Sequence, residues 1–130
     1  MSYDIRYDKN DTFLIARVTG DGNPSNAQRY YADVCKQAAE AGHRRVLVDS
    51  HTSKTEVNWT FDDAEQVATA AARAALANGI LAIAVVSHDP ASNRDAENFA
   101  VQVFKNHAVE GKYFSADLAA ASAWIANVAV

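Results

Sequence analysis

The chain has 130 residues, 49% of them hydrophobic, and a formal net charge of -4. That length fits one domain spanning residues 1–130 and buries roughly two thirds of the unfolded surface, enough for a core without disulfides or metal. The acidic balance excludes nucleic-acid binding, which needs a basic face to meet phosphate. The longest aliphatic run, residues 80–86, excludes a membrane span, which needs ~20 apolar residues.

The first pattern along the chain is an alternation. Tyr3, Ile5 and Tyr7 alternate with Asp4, Arg6 and Asp8, the period of a half-exposed strand, with no apolar leader before it. Lys9-Asn10-Asp11 makes a polar turn into a second strand over residues 12–19, and so short a connection predicts an antiparallel hairpin. Gly20-Asp21-Gly22-Asn23-Pro24 ends that strand. Ser25 and Gln28 then form a capping-box signature for the first helix, which stops near Gly42. Its Tyr30-Tyr31 pair is expected to turn one ring inward and one outward, the outward ring lining a pocket or an interface. Its lone Cys35 cannot form an internal disulfide, reads as a buried inert thiol, and points to a reducing, cytoplasmic setting.

His43-Arg44-Arg45 reads as a solvated strand entrance before the third strand, residues 46–49. A polar stretch over residues 50–58 leads to Thr60, which is placed to cap the second helix. Asp62, Asp63 and Glu65 follow where the helix dipole favours acids. Ala64, Val67, Ala68, Ala71 and Ala75 form its apolar stripe, closed by Asn78-Gly79. Residues 80–86 are apolar at every position and predict a central buried strand. Asp89-Pro90 is a good start for the third helix, proline lacking only an amide that would be unpaired there. Phe99, Ala100, Val103 and Phe104 line its inner face. Residues 111–114 predict a fifth strand, and Ser115 is placed to cap a last helix striped by Leu118, Ala121, Ile125 and Val128. Strands alternating with helices after an opening hairpin predict an α/β fold on a mixed five-stranded sheet.

Two strand ends carry the candidate site. Asp49-Ser50-His51 and Ser87-His88-Asp89 follow aliphatic runs, and α/β domains place working groups past the carboxyl ends of such strands. The residue types suffice for nucleophilic chemistry or a metal. However, the nucleophile elbow and the zinc spacings His-x-x-x-His and Cys-x-x-Cys are missing. The expectation is therefore no catalytic residue, no metal and no cofactor, with Asp49, Ser50, His51, His88 and Asp89 as ligand- or partner-binding groups. Trp59, Thr60 and Phe61 join that set, as tryptophan is enriched at binding hot spots. The competing reading of Trp59 and Phe61 is a hydrophobic staple at the helix start. Trp124 belongs to the core edge or to a homodimer face.

Several segments together resemble the STAS-like, SpoIIAA-like group. They are Val18-Thr19-Gly20 before the first helix, Arg45-Val46-Leu47-Val48-Asp49, Ile83-Ala84-Val85-Val86, and Tyr113-Phe114-Ser115 leading to Trp124-Ile125. The resemblance covers nearly the whole chain and is nearest to the small stand-alone bacterial branch, similar in fold to CRAL-TRIO lipid-binding domains. It implies a non-catalytic regulatory domain engaging a protein partner, a second copy of itself, or a small apolar or anionic ligand. A lipid-type carrier is the alternative, and a hydrolase using Asp49, His51 and His88 a further one. The group's Asp-Ser-Ser-Gly phosphorylation segment is absent here. Glu56-Val57-Asn58-Trp59-Thr60-Phe61-Asp62 stands in its place.

Overall fold

A computed structural model describes residues 2–53, 59–88 and 94–130. The elements run β1 (Tyr3–Lys9), β2 (Leu14–Asp21), α1 (Pro24–Glu40), β3 (Arg45–Ser53), α2 (Phe61–Ala77), β4 (Ala82–Ser87), α3 (Arg94–Asn106), β5 (Glu110–Ser115) and α4 (Leu118–Asn127). The five strands lie side by side in the order of the chain. β1 pairs antiparallel with β2, and β2 through β5 are parallel. The mixed α/β sheet expected from the alternation is present. β3, however, takes the middle place, and β4 lies between it and β5.

Period-two alternation along the parallel strands gives the sheet two apolar faces. Leu14, Ala16, Val18, Val46, Val48, Ile83 and Val85 meet the inner stripes of α1, α2 and α3. Leu47, Ala82, Ala84 and Val86 face the other way, onto Ala121 and Ile125 of α4. Three helices thus cover one face and a single short helix the other.

The helix starts correct two expectations. Asn23, not Ser25, caps α1: its side chain accepts from the Asn26 amide at 2.8 Å, and Pro24 takes the first helical position. Asp117, not Ser115, caps α4 by accepting from the Ala120 amide at 3.0 Å. Ser25 lies already inside α1 and Ser115 falls short of α4, whereas Asn23 and Asp117 each sit immediately before the first helical residue, where a side-chain oxygen reaches the orphan amides. At α2 the expected cap is present, with Thr60 and Asp63 each bonding the other's backbone amide. The helix start expected at Asp89-Pro90 lies outside the described residues.

β2 begins at Leu14 because the Asn10 side chain accepts from the amides of Thr12 and Phe13 and holds them in the turn. Arg45 also departs from its sequence reading. Its Nη1 donates to the carbonyls of Ile125 and Val128 at 2.8 and 2.9 Å, where a cation suits the end of α4. Tyr30 and Tyr31 are both buried, so neither ring is available to an interface. Adjacent helical residues differ by only about 100°, and the stripe of α1 is wide enough for both.

Candidate functional site

β3 carries the site because it is longer than its aliphatic core. It continues through Asp49, Ser50, His51 and Thr52 to Ser53, with Arg17 opposite Asp49 and Thr19 opposite His51 on β2. Alternation then divides the polar run. Asp49 and His51 share the α4 face with Leu47, while Ser50 and Thr52 point to the α1 side.

On the α4 face, Asp49 collects three neighbours. His88, the residue after β4, brings its Nε2 to 2.7 Å from Oδ1, and His51 brings its Nε2 to 3.1 Å from Oδ2. The Arg17 Nε lies 3.4 Å from Oδ2. The two imidazoles stack, with centroids 3.9 Å apart and planes 14° from parallel. They shelter the carboxylate, whose side chain is 2% exposed, while remaining 36% (His51) and 30% (His88) exposed themselves. A buried carboxylate needs such partners. An ionised carboxylate only accepts, so each neutral ring must carry its proton on Nε2 to satisfy it. Burial alone pushes the Asp49 carboxyl up; the hydrogen bonds from His88 and His51, with the charge of those rings, outweigh it and hold the group below the usual carboxylate range.

Ser50 does not join this cluster. Its hydroxyl lies 3.0 Å from that of Thr52, and both bond the Tyr30 hydroxyl, whose pKa burial pushes up to about 12. Ser87 follows Val86 on β4 and by alternation turns from the α4 face as well. The Ser–His–Asp arrangement that the sequence allowed is thus split across the sheet. Asp89 lies outside the described residues.

Trp59 and Phe61 behave differently from each other. Trp59 packs against the larger core cluster, and its indole N–H donates to the Gly22 carbonyl at 3.2 Å. Phe61, the first residue of α2, is 62% exposed and meets the Phe99 ring edge-on at 5.8 Å. Trp124 is half-buried against the smaller cluster, beside Phe114. Arg17 is the member that sequence reasoning missed. Only the β2–β3 register places it against Asp49, and no local pattern encodes that register.

These features define a class: an α/β domain presenting a titratable platform at the carboxyl edge of its sheet. A family model described as SpoIIAA-like matches residues 13–126, and the chain belongs to that family. Its members are generally non-catalytic regulatory domains that bind proteins. No curated protein and no solved structure matches the chain. Among the described residues, no helix is long and apolar enough to cross a membrane.

Proposed function

We propose that this chain is a non-catalytic binding domain that engages a protein partner along the carboxyl edge of its sheet. One observation carries the reading: that edge bears both the Phe61 ring, left in water, and the two half-exposed imidazoles seated on Asp49. An exposed aromatic anchor and polar groups already held in place, both past the carboxyl ends of the strands, are the composition of a binding hot spot. His51, His88, Phe61 and the Thr60 helix start form the contact surface, and Trp59 anchors it to the core. A groove of about 400 Å³ between α1 and α2 is the contrasting surface. Beside Ala70 it is lined by the polar and charged side chains of Gln28, Asp62, Glu65, Gln66, Thr69 and Arg73.

The test compares variants of the two surfaces in a quantitative capture experiment. His51→Ala combined with Phe61→Ser is expected to reduce retention of any stoichiometric partner roughly tenfold or more, since hot-spot residues cost ≥ ~2 kcal/mol when truncated. Arg73→Ala, in the groove, is expected to leave retention unchanged. Retention lost through the groove variant and kept by the edge variant would overturn the proposal.

A further inference from the structure

We infer that Asp49, His51 and His88 form a site for one divalent zinc-type metal ion. A carboxylate oxygen of Asp49 and a ring nitrogen of each histidine lie within 4.8 Å of one another. A tetrahedral zinc with bonds of about 2.0–2.1 Å separates its ligand atoms by about 3.3 Å. The nitrogen–oxygen distances of 2.7 and 3.1 Å both lie just below that spacing. Small rotations of two half-exposed rings therefore suffice to turn both nitrogens onto an ion.

The donor chemistry selects the class of metal. Two imidazoles and one carboxylate suit zinc and its first-row neighbours, whereas calcium and magnesium prefer oxygen alone. The backbone supplies preorganisation, because Asp49 and His51 stand two residues apart on one face of β3 and His88 follows the adjacent strand. Metal binding replaces each Nε2–H···O bond by an Nε2–metal bond, and the displaced proton settles on Nδ1, so neutral rings lose no net proton. Three protein ligands leave a fourth tetrahedral position for water or for a group from a partner.

Arg17 supplies a check that a purely structural cluster would not meet. Its guanidinium is a competing cation 3.4 Å from the carboxylate, on a side chain 54% exposed and free to swing away. Removing it makes the carboxylate a better ligand.

Zinc chloride titrated calorimetrically into the tag-free chain at neutral pH tests the site, and because it needs no protein partner its outcome is independent of the capture experiment. One equivalent should bind saturably. His51→Ala and His88→Ala should each weaken binding roughly tenfold or more, as losses even outside the ligand shell reach 10–100-fold. The control His43→Ala/His107→Ala should bind as the wild type does. Arg17→Ala should tighten binding, by up to roughly fivefold, the worth of an exposed ion pair. No saturable binding, binding that survives loss of either site histidine, loss in the control, or weakening by Arg17→Ala would overturn the inference. Should a site variant fail to fold, the wild-type imidazole NMR signals decide instead. Zinc-induced shifts at His51 and His88 support the site, and shifts confined to His43 or His107 overturn it.

Discussion

Phe104→Ala is expected to lower the unfolding free energy by about 3–5 kcal/mol, the usual cost of truncating a buried phenylalanine. Phe104 is 1% exposed on α3 and belongs to the larger core cluster. Its ring lies against Gly111 of β5, so closely that a Cβ at that position would run into the ring edge. The glycine is therefore the bed of the phenylalanine, and it has no side chain with which to refill the space. Sheet backbone held between two helical layers cannot collapse to fill it either, which puts the cost near the top of the range. Gly111→Ala should be damaging alone and much less so beside Phe104→Ala, because the two share one contact and cannot add. Denaturant titration of the three variants measures both effects. Additive losses would contradict the packing described.

Gly20→Ala is expected to cost about 2–6 kcal/mol, a left-handed backbone and an overpacked contact each contributing about 1–3. Gly20 has φ of +104°. A Cβ there would lie 2.6 Å from the Ser2 carbonyl oxygen and 2.9 Å from the Tyr3 Cα. Both obstacles are backbone, so no rotamer change relieves them. They are also where β1 first pairs with β2, Tyr3 facing Gly20. Thermal unfolding should show a clear loss of midpoint, and a variant as stable as the wild type would mean the strand does not cross β2 there.

The core was legible for a physical reason. β3 and β4 are interior parallel strands with apolar faces on both sides, so residues 46–48 and 80–86 announce themselves without help from context. The helix stripes were legible because α2, α3 and α4 each pack one side on a sheet. Trouble began where non-local pairing decided the outcome. The polar end of β3 has weak strand propensity, and its pairing with β2 keeps it extended to Ser53. That extension turned an expected loop into alternating strand positions and sent Ser50 away from Asp49 and His51. Arg17 joined the cluster through the same register. The caps failed more locally: α1 begins one residue before the serine that matched a pattern, at Pro24, and α4 begins three residues after the other, so Asn23 and Asp117 take the cap positions. Tyr31 failed because a wide stripe admits two neighbours that a simple two-sided picture separates.

The central claim is that β3 and β4 deliver two imidazoles to one buried carboxylate. Long-range proton–nitrogen NMR of the histidine rings, in metal-free protein at mildly alkaline pH, tests it most directly. Because an ionised Asp49 can only accept, both His51 and His88 should appear as the Nε2–H tautomer, with His43, at the other end of β3, as the internal reference for a ring that does not face Asp49. An Nδ1–H tautomer at either site histidine, or a tautomer mixture indistinguishable from that of His43, would contradict the account.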